Sequence, residues 1–394
     1  MPDSVPLRSA LASATSDGII YDLTGIVQRH DDLLRELPGA RVRFAVKACP
    51  VDDVLSALGG AGAGFDAAGP YEIAQALRTG VPVERVHYGN TVKSDRDIAE
   101  AYRMGVRLFA TDSIADVRAI AAHAPGSRVF SRLAVSGSGA LWRLTGKFGC
   151  SPDEAVEVLD TARSLGLVPA GLSLHVGSQQ MTVAAWRNAF DVVAAALAGL
   201  VARGIDLDHV NLGGGLPALG YLDRSGRPLR PPLDLILTAI RDGMARLRTV
   251  ARGPLGFVIE PGRHLVADHG AIRSHVVRLT GRQGRDGRRE RWLYLSCGRF
   301  NGLYELDQIQ YRLEFPGHAD GHRVPAVVAG PTCDSDDAFD PGSPVLVPSG
   351  LRSGDPVWIL SAGAYAVSYT TVGFNGFAPL PYHTVGALPR MAPC

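Results

Sequence analysis

Short apolar runs alternate with longer amphipathic stretches over the first two thirds of the chain, from about residue 29 to 265. The short runs are rich in β-branched residues and predict strands, whereas the longer stretches repeat their apolar positions at helical spacing. The predicted strands are 41–46, 64–67, 86–89, 108–111, 128–135, 171–176, 209–212 and 257–260. The predicted helices between them are 51–58, 70–78, 114–122, 152–165, 184–202 and 233–247.

This alternation is typical of parallel βα units. Eight strands with intervening helices predict an α/β fold, a (β/α)8 barrel, over residues 24–269. A doubly wound parallel sheet is the alternative, because the count of eight depends on accepting several short strands.

The pattern changes after about residue 270, where helical spacing disappears. Short apolar runs at 292–295, 326–329 and 356–360 are separated by Gly and Pro, which predicts an all-β domain over 270–394. A strand within residues 1–23 is expected to join this domain. The charge-dense stretch 281–291 is expected to be a solvated hairpin loop.

Composition narrows the classes of partner. The 394 residues carry 40 Lys+Arg against 39 Asp+Glu, a net charge of +1, which argues against a dedicated nucleic-acid or membrane binder. The five cysteines are scattered and never spaced C-x-x-C, so neither a disulfide framework nor a metal site is expected. The start of the chain shows no apolar signal segment, so a cytoplasmic protein with a small-molecule substrate is expected.

Lysine is rare in this chain, since only Lys47, Lys93 and Lys147 occur and arginine supplies the remaining positive charge. A lysine therefore stands out where an amine is needed that can lose its proton or form an imine. Lys47 closes the first predicted strand among apolar neighbours, which would lower its pKa and favour a nucleophilic or Schiff-base amine. A lysine that only extends from the barrel rim to solvent is the alternative.

Other reactive groups also close predicted strands, which is where barrel enzymes place their chemistry. His175-Val-Gly-Ser178, Gly213-Gly-Gly215 and Glu260-Pro-Gly-Arg263 follow three of them. Consecutive glycines let backbone N–H groups approach an anion, so the set indicates a phosphate-bearing cofactor. The glycines alone could equally form a tight βα turn. With a Schiff-base lysine, the set points to pyridoxal 5'-phosphate (PLP).

The chain resembles the ornithine/diaminopimelate/arginine decarboxylase family, the PLP enzymes with an alanine-racemase-like fold. The resemblance runs from about residue 20 to 380. It rests on Phe44-Ala-Val-Lys-Ala48, Gly64-Phe-Asp-Ala-Ala68, Gly171-Leu-Ser-Leu-His-Val-Gly-Ser178, Leu212-Gly-Gly-Gly215, Glu260-Pro-Gly-Arg263, Gly330-Pro-Thr-Cys-Asp-Ser335, Gly363-Ala-Tyr365 and Phe374-Asn-Gly-Phe377.

The resemblance implies a role for each matching residue. Lys47 would be the Schiff-base lysine, His175 would stack on the cofactor ring and Glu260 would pair with its pyridine nitrogen. Asp66 and Arg132 would lie beside the cofactor. The phosphate would be held by Ser178, Gly213, Gly214, Gly215, Gly262, Arg263 and Tyr365. Racemases of this fold usually place an arginine at the pyridine nitrogen, so Glu260 favours decarboxylation.

The resemblance further implies a homodimer with shared active sites. Cys333 and Asp334 would reach the site of the other subunit, Cys333 as the acid that protonates Cα and Asp334 as the partner of the substrate's distal ammonium. Without the resemblance, Cys333 is best interpreted as a buried structural cysteine. Lys147 matches a lysine that pairs with an acid across the dimer, here Asp337, and Lys93 is assigned no role beyond a structural cap.

An acidic Asp334 favours a substrate with a distal ammonium, L-ornithine or L-lysine, since a distal carboxylate would need arginine or other donors. Asp307 is a second candidate anion or a surface acid. Two departures from the family pattern, Cys297-Gly298 and Leu216, leave open a modified or carrier-bound diamino acid. A racemase or epimerase is a further alternative, and so is an inactive regulatory homologue, although intact Lys47, His175 and Glu260 argue against it.

Overall fold

The computed structural model describes residues 4–144, 146–283, 287 and 289–386. These residues form two compact units. The first unit comprises residues 27–217 and 231–262, and the second comprises residues 4–26, 218–230 and 263–386.

The strands and helices are numbered along the described residues. The strands are β1 (Gly18–Asp22), β2 (Ala40–Ala45), β3 (Gly64–Ala67), β4 (Val86–Tyr88), β5 (Leu108–Thr111), β6 (Arg128–Arg132), β7 (Ala140–Trp142), β8 (Val168–Ser173), β9 (Ser178–Gln180), β10 (His209–Asn211), β11 (Gly256–Ile259), β12 (Gly270–Gln283), β13 (Arg289–Leu295), β14 (Arg312–Glu314), β15 (Arg323–Ala329), β16 (Val345–Pro348), β17 (Pro356–Leu360) and β18 (Tyr382–Val385).

The α-helices are α1 (Val5–Ser13), α2 (Leu23–Glu36), α3 (Asp52–Gly60), α4 (Pro70–Arg78), α5 (Asp95–Arg103), α6 (Ile114–His123), α7 (Pro152–Ser164), α8 (Val183–Ala202), α9 (Leu233–Val250) and α10 (Gly262–Val266). Short 3-10 helices are Val46–Ala48, Val83–Arg85, Ala267–His269, Tyr304–Asp307 and Phe374–Gly376.

The first unit is the predicted barrel. Its eight strands pair in parallel in the closed order β2-β3-β4-β5-β6-β8-β10-β11, and β11 returns to β2 with Phe257 opposite Ala40. This closure confirms the (β/α)8 prediction and excludes the doubly wound sheet, whose edge strands would stay unpaired. Strands β3 and β4 are buried along their whole length, as parallel strands covered by helices must be.

Capping residues mark where several helices of the barrel begin. Ser151 caps α7 and forms a reciprocal capping box with Glu154, and Pro152 occupies the first turn, where its missing N–H is not needed. Ser94 and Ser113 cap α5 and α6 in the same way through their side-chain oxygens. These caps satisfy backbone donors at the helix starts and fix where each βα turn ends.

Helix α8 is long and apolar enough by composition to cross a membrane. In this fold it packs between α7 and α9 and contacts β8, and Trp186, Phe190 and Leu197 are buried. A buried helix of a globular protein can be equally long and apolar. Packing against the neighbouring helices and β8 therefore explains the apolar face of α8.

The second unit is built on a mixed sheet with the order β14-β17-β12-β13-β15-β16. Strand β1 pairs with β12 and β18, so the amino-terminal strand joins this sheet as expected. Leu7 and Leu11 of α1 are buried against Ile20, Ala271 and Leu360. The hairpin of β12 and β13 runs to the pair Gln283–Arg289, and residues 284–286 and 288 of the predicted loop lie outside the described residues.

Residues 218–230, inside the range assigned to the barrel by sequence, belong to the second unit instead. Long-range contacts within that unit explain the difference. Leu222 forms a bridge with Gln310, and the ring of Tyr221 packs edge-on against Tyr311 with centroids 6.3 Å apart. The pattern of apolar residues along the chain does not reveal such contacts.

Candidate active site

The carboxyl ends of the barrel strands carry the polar residues singled out from the sequence. Lys47 follows β2, Asp66 lies on β3, Arg132 ends β6, His175 follows β8 and Glu260 follows β11. Because the strands are parallel and closed into a barrel, their carboxyl ends meet at one rim. The placement predicted for these five residues is therefore what the barrel topology produces.

Lys47 and Asp66 form an ion pair at this rim. The Nζ of Lys47 donates to Oδ2 of Asp66 at 2.9 Å, and the Lys47 side chain is 47% exposed whereas that of Asp66 is 4% exposed. Burial alone would raise the pKa of Asp66, but Lys47 and His87 outweigh it and hold that pKa well below its ordinary value. A buried anion thus holds an amine that still reaches solvent.

His87 is a site residue that sequence analysis missed. It lies on β4 directly opposite Asp66, its side chain is 1% exposed, and its Nε2 is 3.1 Å from both Oδ1 of Asp66 and Oε1 of Glu260. One imidazole therefore joins two carboxylates. These three residues could also hold a metal ion, but Lys47 and Asn211 already donate to the same carboxylates. The signal available in the sequence was a histidine inside the predicted strand 86–89.

Asn211, the last residue of β10, fixes Glu260. Its Nδ2 donates to Oε1 of Glu260 at 2.5 Å, and its Oδ1 accepts the backbone N–H of Gly213 at 2.9 Å. The second bond sets the orientation of the amide, since only the NH2 group then faces the carboxylate. The side chain of Glu260 is 13% exposed, so the carboxylate is held in place while part of it stays open.

His175 is neutral at physiological pH. Burial, followed by the positive charges of Arg132 and Lys47, lowers the pKa of His175 to about 3. The backbone N–H of Gly177 donates to Nδ1 of His175 at 3.1 Å, so the ring proton lies on Nε2. An uncharged, flat ring in this position suits stacking against another flat ring.

The glycine loop after β10 has no room for side chains. Gly213 and Gly215 have φ angles of 62° and 120°, and a Cβ on Gly214 would lie 2.9 Å from Nε2 of His175. Glycine is therefore required for the loop to pass the imidazole, and the backbone N–H of Gly213 is held by Oδ1 of Asn211.

The remaining barrel residues predicted for the site also lie at this rim. Arg132 is partly buried; burial lowers its pKa, and the charges of Glu260 and Asp66 counter that effect. Ser178 opens β9 opposite Trp142 of β7, and Gly262 begins α10. The structure thus brings the barrel members of the predicted set to one end of one barrel.

Arg263 lies in the second unit and forms a buried ion pair that the sequence did not reveal. Its Nη1 and Nη2 donate to the two carboxylate oxygens of Glu305 at 2.5 Å each, and Nη1 also contacts the hydroxyl of Tyr221 at 2.8 Å. Burial alone would lower the pKa of Arg263, but Glu305 raises it well above its ordinary value. The guanidinium stays charged and is fixed by this pair.

Removing Glu305 should therefore destabilise the protein strongly. Both side chains of the pair are 4% exposed, so Glu305→Ala leaves a buried cation without its anion and is expected to cost about 3–5 kcal/mol. Arg224→Ala, which breaks the exposed pair with Asp340 in the same unit, is the control and should cost about 1 kcal/mol or less. Urea unfolding measures both, and equal losses would contradict the assignment.

Tyr365 also lies in the second unit, in an uncommon backbone conformation. Its φ is 64°, its ring stacks on Tyr369 with centroids 5.2 Å apart, and the Arg263 guanidinium lies 4.8 Å from the ring centroid. A non-glycine residue in the left-handed region costs free energy, and such residues cluster at functional sites. Asn375 shares this feature, with a φ of 50°.

Cys333 and Asp334 lie in an exposed loop. The interpretation of Cys333 as a buried structural cysteine is wrong, because the residue is exposed and its backbone N–H and Sγ both contact Oδ1 of Asn375, at 2.9 and 3.2 Å. Asp334 is exposed as well and accepts the backbone N–H of Asp336 at 2.8 Å. Both reactive groups are accessible from outside their own unit.

Asp337 organises the same loop. Its carboxylate is buried and accepts the backbone N–H groups of Arg299 at 2.6 Å and Thr332 at 3.0 Å, together with the Thr332 hydroxyl at 2.7 Å. The Asp337 carboxylate is thus bonded within its own loop, and its pairing with Lys147 of another copy of the chain stays a prediction. Lys147 is exposed and lies over the ring of Phe148 at 4.9 Å.

Asp307 and Lys93 are the two remaining residues considered from the sequence. Asp307 is exposed and accepts from Nε2 of Gln308 at 3.3 Å. Lys93 is fully buried, and its Nζ donates to carbonyls of Asn90 and Ala110 and to Oδ2 of Asp116 at 2.8 Å. Lys93 thus ties the loop after β4 to β5 and α6, a structural role for which a compact ammonium is suited.

A family model described as the pyridoxal-binding domain of pyridoxal-dependent decarboxylases matches residues 23–267. The chain belongs to this decarboxylase family. The lysine/ornithine decarboxylase of Selenomonas ruminantium is 30% identical over 366 residues, covering 92% of this chain and 88% of that relative. The family expected from the motifs is thereby confirmed.

Solved structures of decarboxylases share the whole fold. The lysine/ornithine decarboxylase of Vibrio vulnificus, complexed with putrescine, is 26% identical, with a TM-score of 0.82 and coverage of 96% of both chains. The structure of SrLDC in complex with PLP and cadaverine is 27% identical, with a TM-score of 0.82, and covers 96% of this chain and 92% of that one.

The barrel residues of this decarboxylase fit PLP. Lys47 offers an amine on the open side of the rim, the backbone of the glycine loop passes beside His175, and Glu260 presents a carboxylate held by Asn211 next to His87. PLP has an aldehyde, a phosphate and a pyridine nitrogen to be bound. Lys47 would react with the aldehyde, the glycine loop would hold the phosphate and Glu260 would pair with the nitrogen.

Proposed function

We propose that this protein decarboxylates a basic L-amino acid, L-ornithine or L-lysine, to the diamine and CO2, with PLP bound at the barrel rim. The observation that carries the proposal is the hydrogen-bonded set of Lys47, Asp66, His87, Glu260 and Asn211 at the carboxyl ends of neighbouring strands. PLP, when bound, supplies an electron-accepting ring that takes up the electron pair left as a bond to Cα breaks.

Lys47 and Asp66 prepare the amine that carries the cofactor. Asp66 is buried and stays ionised, so it orients Lys47 and holds a proton at Nζ until the amine is needed. His175 offers an uncharged face for the cofactor ring, and the loop Gly213–Gly215, Ser178 and Gly262 would hold the phosphate. Arg263 and Tyr365 stay predictions for that role.

Glu260 determines which chemistry the cofactor performs. A carboxylate held at the pyridine nitrogen favours the protonated ring, which is the stronger acceptor of electrons. Asn211 and His87 prevent Glu260 from turning away. Decarboxylation needs a strong acceptor, so this arrangement favours loss of CO2 over racemisation.

Cys333 and Asp334 would complete the site of a second copy of the chain. Their exposure in a single chain supports a shared site, in which Cys333 protonates Cα and Asp334 binds the distal ammonium. Mixing Lys47→Ala with Cys333→Ala tests this, because random reassortment should restore about a quarter of the wild-type sites. Continued inactivity of a mixture shown to contain heterodimers would contradict a shared site. A cytoplasmic location is likewise a proposal.

A substrate panel tests the function. We expect the PLP-loaded protein to release CO2 from L-ornithine or L-lysine with a kcat/KM well above that for L-arginine or diaminopimelate. Asp334→Ala should raise KM for the preferred substrate about tenfold or more, with a smaller change in kcat, because the ammonium loses its anion. Asp336→Ala, a neighbouring exposed acid, is the matched control and should leave KM unchanged.

The outcomes of the panel separate the alternatives. If the PLP-loaded protein releases no CO2 from any amino acid of the panel, a free diamino acid is contradicted as the substrate, and a modified or carrier-bound one is favoured. Failure to bind PLP would contradict enzymatic activity of this kind and favour a regulatory homologue. An unchanged KM in Asp334→Ala would contradict the role of Asp334 alone.

His87 is expected to position Asp66 and Glu260. His87→Leu removes the imidazole between two carboxylates, so Asp66 loses a hydrogen bond and the two anions repel each other without it, and we expect PLP affinity and kcat each to fall about tenfold. His87→Gln should recover part of both losses, because its amide can donate to one carboxylate. Titration of PLP by fluorescence and steady-state kinetics measure these effects.

His123→Leu, which alters a partly exposed histidine on α6, is the control for His87. A lower unfolding temperature in His87→Leu with unchanged PLP affinity and kcat would show that His87 is merely structural.

A further inference from the structure

A second cavity lies at the opposite end of the barrel from Lys47 and Glu260. It has a volume of about 450 Å³ and is lined by the starts of the strands, including Arg41 and Arg43 of β2, Arg128 of β6 and His209 of β10. We name this cavity the basal pocket. Its volume is in the range of small-molecule sites.

The basal pocket carries an excess of positive charge. Four arginines line it, Arg41, Arg43, Arg107 and Arg128, against the two acids Glu84 and Asp208. The carboxylate of Asp208 already has partners, because it pairs with Arg128 and lies 2.6 Å from Nδ1 of His209. Burial, followed by the charge of Arg43, lowers the pKa of His209 to about 3, so this histidine is neutral.

Arg43 is the unusual member of the set. It is 8% exposed, and its Nη2 donates to the backbone carbonyl of Glu84 at 3.0 Å. Its Nη1 is buried and has no acceptor among the described residues. Burial and then the charge of Arg41 lower the pKa of Arg43 to about 10, which leaves it charged at neutral pH. A buried, charged donor without an acceptor is costly in free energy, and Arg43 bears that cost in the wall of the basal pocket.

The chemistry of a ligand for the basal pocket follows from the charges of its lining. With four arginines and two acids, the lining of the basal pocket has a net charge of two positive charges. Guanidinium groups bind the oxygens of phosphate in paired, charge-assisted hydrogen bonds. We propose that the basal pocket binds a phosphate dianion, as a small phosphomonoester or as the free ion, through Arg41, Arg43 and Arg128. This site is separate from the PLP phosphate cradle, which lies at the other end of the barrel strands.

Calorimetry on the PLP-loaded protein tests the basal pocket, because the catalytic cradle is then filled. The probes are ribose 5-phosphate, inorganic phosphate and, as a neutral comparison, ribose, all at constant ionic strength set with NaCl. We expect saturable binding of one phosphate compound per chain and no binding of ribose. Tighter binding of ribose 5-phosphate would identify a phosphomonoester site, and equal binding would identify a site for the ion.

Variants decide whether the binding belongs to this pocket. Arg41→Ala and Arg43→Met should each weaken the phosphate probe about tenfold or more, since each removes a charge-assisted contact. Arg246→Ala, an exposed arginine on α9, is the matched control and should bind as the wild type does. Arg41 is exposed, so its variant keeps the test valid if Arg43→Met fails to fold. Equal affinity in Arg41→Ala and Arg246→Ala, or no phosphate binding at millimolar concentration, would overturn the proposal.

Discussion

Lys47→Ala is expected to abolish covalent attachment of PLP and to lower kcat by about a thousandfold or more, comparable to the loss of other catalytic nucleophiles. Lys47 supplies the amine at the barrel rim, and Asp66 holds it there at 2.9 Å. Reduction with borohydride followed by mass spectrometry should find PLP on Lys47 in the wild type, and no PLP on the chain in the variant.

Lys47→Arg distinguishes the positive charge of Lys47 from its ability to form an imine. The guanidinium keeps a positive charge near Asp66, but it cannot form an imine with an aldehyde. We expect Lys47→Arg to be as inactive as Lys47→Ala while its unfolding temperature stays closer to that of the wild type. Activity within tenfold of the wild type in either variant would refute the assignment of Lys47.

Glu260→Gln is expected to have the second largest effect, a fall in kcat of about a hundredfold, or about 2.7 kcal/mol in the barrier. The substitution keeps the size of the side chain and the capacity to accept from Asn211, but it removes the charge that keeps a proton on the pyridine nitrogen. KM should change little, because Glu260 has no proposed contact with the substrate. Steady-state CO2 release measures both constants.

Two variants provide the controls for Glu260. Glu36→Gln changes an exposed acid paired with Arg241 and should leave kcat unchanged. Asn211→Ala should lower kcat by a smaller factor, about tenfold, since the carboxylate remains but is held less firmly. A kcat in Glu260→Gln equal to that of the wild type would show that the ring nitrogen does not need this anion.

The sequence predicted most of the barrel because its strands and helices follow local patterns. The bounds of β3, β5 and α4 agree with prediction, and Gly64 begins β3 whereas Pro70 begins α4. The run predicted at 171–176 is instead β8, Val168–Ser173. A continuous apolar run does not mark its own ends, so pairing with β6 and β10 sets where this strand lies.

Residues that follow strand ends were predicted from the sequence, Asp66 and Arg132 on their strands were assigned through the family resemblance, and His87 and Asn211 were missed. Lys47, His175 and Glu260 stand beyond strand ends, where a reactive group has no structural explanation. His87 lies inside β4 and Asn211 is the last residue of β10, and a polar residue on a buried strand is easily attributed to the core. The pairing of Arg263 with Glu305 and the burial of Asp337 depend on contacts between distant segments, which no local pattern contains.

The fate of L-ornithine in D2O, followed by NMR with the PLP-loaded protein, tests the central claim most directly. Decarboxylation followed by protonation at Cα should give putrescine with a single deuterium on the former Cα and one CO2 for each putrescine formed. Recovery of D-ornithine that carries deuterium at Cα and retains its carboxylate, with no putrescine formed, would contradict decarboxylation and would identify the protein as a racemase.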